Sequence, residues 1–136
     1  MDTSTVLLIA RILFAPIFLS SAIGHLRTTD AMAGYAGSKG IPSPKAAVLV
    51  SGLVILAGGI MTLLGIYADL GALLLVVFLL PTAVLMHPFW KESDPMGRMN
   101  ETVAFFKDLG LAGGALAFSV LAASGTFGAT LTGPLF

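Results

Sequence analysis

The chain has 136 residues, 57% of them hydrophobic and only 10% charged, with a mean hydropathy of +0.98. A soluble domain is about a quarter charged, so a water-soluble fold of this composition would expose large apolar patches, and lipid is the solvent that removes them. Seven Lys/Arg balance seven Asp/Glu, which leaves no positive field for nucleic acid, and the lack of Cys excludes disulfides, thiol exchange and Cys-ligated metals or iron–sulfur clusters.

The N-terminus, Met1-Asp2-Thr3-Ser4, lacks the basic region of a signal peptide, so the first apolar run is predicted to be a retained span. That run covers about 5–24, with Ser4 or Thr5 as a cap and only Arg11 and Pro16 as interruptions. The connection 25–45 contains Lys39-Gly40-Ile41-Pro42-Ser43-Pro44, which is not helix interior, preceded by a stretch at 30–35 able to form a short interfacial helix. A second span at about 46–66 has no charge. Gly65 is a helix terminator, and only Tyr67, Ala68 and Asp69 precede a third uncharged span at about 70–86, which forces an antiparallel hairpin. After the polar stretch from Trp90 to Glu101, a fourth span is predicted at about 103–123, with Lys107 and Asp108 near its start. The uncharged tail 124–136 is rich in Gly and Thr and carries no pattern of a regular element. Apolar runs near 20 residues without alternation are transmembrane helices rather than barrel strands. The expected fold is therefore an all-α membrane protein, a four-transmembrane-helix antiparallel bundle forming one domain over 1–136.

Orientation follows from the loops. Arg27, Lys39, Lys45, Lys91 and Arg98 lie on one side, and the other side has no Lys or Arg. The positive-inside rule then puts both termini out of the cytoplasm. Small residues mark the expected helix packing: Gly110 and Gly114 with Ala117, Ser20 with Gly24, and Gly52 with Gly59 two turns on.

Polar residues in an apolar chain need a reason. Arg11, two turns inside the first span, is either a pairing or ligand-orienting charge facing the bundle or a stem snorkelling to the outer interface. His25 follows it by fourteen positions, which on a helical wheel leaves the two only ~40° apart, on a face completed by Ala15, Phe18 and Ala22. His87 ends the third span at the boundary where His25 ends the first, and Lys107 and Asp108 open the fourth span near the same level. Arg11, His25, His87, Lys107 and Asp108 are thus the candidate ligand-binding residues. Ordinary interfacial anchoring competes with that reading, since Phe89 and Trp90 beside His87 fit an aromatic belt. Two boundary histidines admit haem ligation and, with Asp108, metal binding, but no diagnostic spacing supports either. No phosphate-binding loop, nucleophile elbow or paired carboxylates occur, so no catalytic residue is named.

In order and spacing these residues resemble the DoxX family of small four-helix membrane proteins. The likeness rests on Arg11, Phe18 and Gly24, on Tyr35 with Lys39-Gly40-Ile41-Pro42, and on Gly52, Gly58-Gly59 and Leu64-Gly65. It continues through His87-Pro88-Phe89-Trp90 and Phe106-Lys107-Asp108-Leu109-Gly110-Leu111-Ala112-Gly113-Gly114. The resemblance implies a bacterial inner-membrane protein linked to redox systems, the family being named after a component associated with a terminal quinol oxidase. Many members have an acidic residue shortly before the paired glycines of the second span, where this chain has Ile55. The lack of Cys separates it from thiol-active relatives.

Two functions are expected to compete. One is a non-enzymatic membrane subunit or accessory protein of a larger redox or respiratory complex, surrounded by lipid and other membrane subunits, with no cofactor of its own. The other is a component that holds a quinone or other small hydrophobic ligand near His25, His87 and Lys107. A transporter is disfavoured by the uncharged second and third spans and by the lack of inverted repeats with broken helices.

Overall fold

A computed structural model describes residues 1–136 and contains five α-helices: α1 (Thr3–Arg27), α2 (Thr29–Ser38), α3 (Pro44–Leu64), α4 (Ala68–Met86) and α5 (Pro95–Ala123). A single 3-10 turn, Phe89–Lys91, stands between α4 and α5. Four of the helices, all but α2, are long and apolar enough to cross a membrane. The fold is the expected all-α, four-span antiparallel bundle.

The helix ends follow from local chemistry. Asp2 rather than Ser4 or Thr5 caps α1, its Oδ1 accepting from the Thr5 N–H at 2.7 Å. Pro44 and Pro95 stand at the first positions of α3 and α5, where a missing N–H costs nothing. Asp94 caps α5 by accepting from the Gly97 N–H at 2.7 Å. The fourth helix therefore starts at Pro95 instead of near 103, because a capped polar turn is invisible to hydropathy. Gly65 ends α3 with φ 68°. A side chain there would also strike the tail, since a Cβ would lie 2.7 Å from Thr130 Cα.

Packing relies on small residues. Ala15, Ala22, Ala72, Ala83 and Ala115 are fully buried, and Phe18, Ile55, Leu75 and Leu79 fill the space between them. The large aliphatic side chains face outward, as in Leu13 at 76% exposure. Lipid is as apolar as Leu, so helix association rests on close backbone approach. The tightest approach joins α3 to α4: a Cβ on Gly58 would lie 2.8 Å from the Gly71 carbonyl oxygen, and one on Gly71 would lie 2.5 Å from Met61 Cβ.

Among the expected packing glycines, Gly52 sits under the His25 Cβ and Gly59 under Leu19, so α1 and α3 do meet there. Gly24 instead faces Met32 of α2, and Gly114 faces the Phe14 ring. Ser20 and Gly110 correct the expectation, since both are exposed and Gly110 has no neighbour within reach of a Cβ. The inward face of α5 is made by Asp108, Ala112, Ala115, Ser119 and Ala122. Its seam with α1 is filled by rings, Phe14 lying edge-on to Phe118 at 5.0 Å.

The tail is ordered by the bundle rather than by a pattern of its own. After α5 the chain turns back over the α3–α4 hairpin. Phe127 is buried against Ala68 and Ala122, Gly65 O accepts from the Leu131 and Thr132 N–H groups, and the Tyr67 N–H donates to Thr132 Oγ1. Asp69, fully buried, accepts through Oδ2 from the Leu135 and Phe136 N–H groups at 2.7 and 2.9 Å. The sequence marked Asp69 only as part of a tight connection, yet it is the anchor of the tail.

Candidate functional site

At the end of the bundle opposite this tail, the helices flank an open-sided cavity of about 550 Å³. Its floor is apolar, formed by Val48, Val54 and Phe78, and its polar lining comes from His25, Ser51, Thr82, His87, Lys107 and Asp108. Val50 of α3 and Val77 of α4 line it while remaining 62% and 61% exposed, which marks a mouth on the lipid-facing side between those helices. Exposed Tyr35 and Lys107 carry the opening to the polar boundary. Pro81 in the wall has no N–H to offer the Val77 carbonyl one turn earlier.

Each imidazole is held by a specific partner. His25 Nδ1 lies 3.1 Å from the Val48 carbonyl oxygen and 3.0 Å from Ser51 Oγ. A carbonyl only accepts, so Nδ1 donates and Nε2 is the ring's acceptor. His87 Nδ1 lies 2.7 Å from Glu101 Oε2, a charge-assisted bond that places the proton on Nδ1. Its Nε2 faces Asp108 Oδ2 at 3.7 Å. Asp108 is 4% exposed, with Lys107 Nζ 3.6 Å from Oδ1.

Glu101 extends the network outward. Its Oε1 accepts from Lys39 Nζ at 3.3 Å and from the Tyr35 hydroxyl at 3.2 Å, and Lys39 also reaches Glu92 at 3.6 Å. Desolvation is the largest single influence on the Lys39 ammonium and lowers its pKa, but the hydrogen bonds and charges of Glu101 and Tyr35 together outweigh it and hold the pKa above the ordinary value. Burial, reinforced by the Glu101 charge, raises the Tyr35 hydroxyl.

Four of the five candidate residues therefore line one cavity: His25, His87, Lys107 and Asp108. Arg11 does not join them, which corrects its inclusion in the same set. It shares the buried stripe of α1 with His25, but fourteen residues at ~1.5 Å each separate them by roughly 20 Å along the axis. Neither reading of Arg11 describes what the chain does with it. The guanidinium is 1% exposed under the tail, donating from Nη2 to the Ala129 carbonyl at 2.6 Å and stacked 4.8 Å from the Phe127 ring centroid.

Glu101, Tyr35 and Lys39 were absent from the expected site. Their signal was available: Glu101 and Asp108 are seven apart and share a helix face once α5 starts at Pro95, and Tyr35 and Lys39 are one turn apart.

The sequence model of the DoxX family matches residues 6–88, from α1 through His25 and His87. The chain belongs to the DoxX family. This member is 31% identical over 120 residues to inner membrane protein YphA of Escherichia coli (strain K12), which covers 88% of this chain and 82% of that protein. No solved structure matches the chain. With four apolar helices and an inner-membrane relative, this DoxX protein is a multi-pass inner membrane protein.

Proposed function

We propose that this DoxX protein binds a small lipid-soluble molecule with a polar head, of quinone type, and that residues 1–136 act as one transmembrane domain. The observation that carries this reading is the cavity, whose mouth lies at lipid-facing Val50 and Val77 and whose polar groups are His25, His87 and Asp108. An apolar ring system or chain fits the valine-lined part. A carbonyl or hydroxyl head fits the histidine end, where an imidazole acceptor and a carboxyl group lie in one lining. Pockets of this size with a few polar groups suit ligands of drug-like dimensions.

The test is extraction. Protein purified in mild detergent is expected to carry a quinone or similar amphipathic molecule detectable by chromatography of an organic extract. Val54→Phe, which fills the cavity without touching the histidines, is expected to lower the retained amount about tenfold. Equal yields from both proteins, or extracts holding only bulk phospholipid, would sink the reading.

A second reading, a membrane subunit of a larger redox complex, is favoured by the outer face of α5. Gly110, Gly113 and Ala117 are exposed there, and neither glycine has a neighbour within reach of a Cβ. For orientation, we propose that both termini face away from the cytoplasm, because the five loop Lys and Arg residues gather at the cavity end. An alkaline phosphatase fusion placed before Asp2 is expected to be active and a fluorescent cytoplasmic reporter there inactive. The reverse pattern would overturn the assignment.

A further inference from the structure

The cavity does not end at its lining. Asp108 projects from α5 with Oδ2 buried and lacking any hydrogen-bond partner in the protein. Next to it stands His87 Nε2 at 3.7 Å, and on the far side of the same ring Nδ1 bonds to Glu101 at 2.7 Å. Glu101 meets Lys39 and Tyr35 at the polar boundary, where Tyr35 is exposed. A carboxyl group, an imidazole and a second carboxylate thus run in series from buried Asp108, at the polar end of the cavity, to the surface. Static anchoring of His87 would need only Glu101. It gives no reason to bury a second carboxyl group against the other ring nitrogen, at a desolvation cost of its own.

We propose that Asp108, His87 and Glu101 form a proton path between the cavity and the aqueous boundary, so that the molecule bound there carries an ionisable hydroxyl in its head. This rests on the reading of the cavity as a ligand site.

The step balances without an oxidant or reductant. The ligand O–H bond breaks and its proton passes to Asp108 Oδ2. Asp108 hands a proton to His87 Nε2, which requires the 3.7 Å gap to close by less than about an ångström. The imidazolium releases its Nδ1 proton to Glu101, and Glu101 releases it to water. The ligand is left as an oxyanion, and the reverse sequence protonates it. A ring with one nitrogen on each carboxyl group suits this use, since imidazole can gain a proton on one nitrogen and lose one from the other.

Other charged and titratable groups surround the path. Lys107 on α5 flanks Asp108 and favours the oxyanion. Lys39 at the end of α2 and the Tyr35 hydroxyl hold Glu101 in place, and Glu92 after the 3-10 turn meets only the Lys39 ammonium. His25 on α1 faces the same cavity with Nδ1 committed to Val48.

The experiment uses a 2-hydroxy-3-alkyl-1,4-naphthoquinone, whose visible absorption reports ionisation of its hydroxyl. Full-length protein in detergent micelles is saturated with the probe and subjected to a stopped-flow pH jump. In the unaltered protein the bound probe is expected to follow the jump in one fast phase. Glu101→Gln keeps an acceptor for Nδ1 and His87→Gln keeps a polar side chain. Both are expected to slow that phase by at least about tenfold, and in Glu101→Gln, whose side chain lies outside the cavity lining, probe affinity is expected to stay within about threefold. Glu92→Gln, which lies off the path, is expected to leave the rate unchanged.

Bound probe that relaxes equally fast in Glu101→Gln and in the unaltered protein overturns the path and leaves the cavity reading intact. Loss of probe affinity in Glu101→Gln also overturns it, because that group then serves to hold the ligand or the fold. An unaltered protein that does not bind the probe overturns both readings.

Discussion

Replacing Asp69 by Ala is expected to lower stability in detergent by about 3 kcal/mol and to release the tail from the hairpin. The carboxylate is fully buried and accepts from two backbone N–H groups, of Leu135 and Phe136. Hydrogen bonds to a charged group contribute roughly 1.5–3 kcal/mol each, and the orphaned donors can recover part of that from water at the polar boundary. Asp69 also sits in the first turn of α4, where a negative charge complements the helix dipole. Thermal unfolding followed by circular dichroism reads the loss, and digestion with a nonspecific protease reads the release of 124–136. Unchanged melting together with a protected tail would show that Phe127 and the Gly65 bonds hold the strap without Asp69. Asp69→Asn, which retains one acceptor oxygen but not the charge, is expected to fall between the two.

The second large effect is expected at Gly71. Its missing side chain is what lets α4 lie against Met61 and Thr62 of α3, with a Cβ position only 2.5 Å from Met61 Cβ and 3.2 Å from the Thr62 nitrogen. Neither neighbour is the far end of a flexible side chain, so the helices themselves must separate. Gly71→Ala is expected to cost about 1–3 kcal/mol and Gly71→Leu to exceed that range. Gly110→Leu supplies the contrast. Nothing in the chain lies near that position, so the isolated protein should keep or slightly raise its melting temperature through better helix propensity. A melting temperature for Gly71→Ala equal to that of the unaltered protein would refute the close approach.

The sequence exposed the four spans because bilayer thickness imposes a length and an apolarity that no soluble helix needs to satisfy. Hydropathy could not find the first turns of α5, where Asp94 and Pro95 start a helix through capping chemistry while the residues remain polar. Spacing of small residues found Gly52 and Gly59, which do meet α1, and missed Gly58 and Gly71, the tighter pair. The reason is that a spacing rule describes one helix, whereas a crossing depends on the register between two. The same rule marked Gly110 and Ser20, which point away from the bundle.

The site was partly readable for a similar reason. Topology alone returns His25 and His87 to one boundary, because α1 and α4 run in the same direction. The wheel correctly set Arg11 on the buried stripe with His25 but carries no information about distance along the axis. Glu101 was hidden by the misplaced start of α5. The tail was unreadable because its order comes from Arg11, Gly65 and Asp69, which precede it by more than fifty residues.

The contact at Gly58 and Gly71 has a mechanical side. It joins α3 and α4 near the hairpin, and the same two helices flank the cavity mouth at Val50 and Val77. From Gly58 to Val50 is eight residues, an arm of ~12 Å at ~1.5 Å per residue. A rocking of about five degrees at the pivot displaces the Val50 end by roughly 1 Å. Opposite motion of α4 would double the change in gap. The two glycines, packed against Leu75 and Met61, are therefore the point about which any change of crossing angle is centred, and the entrance feels that change enlarged by the length of the arm.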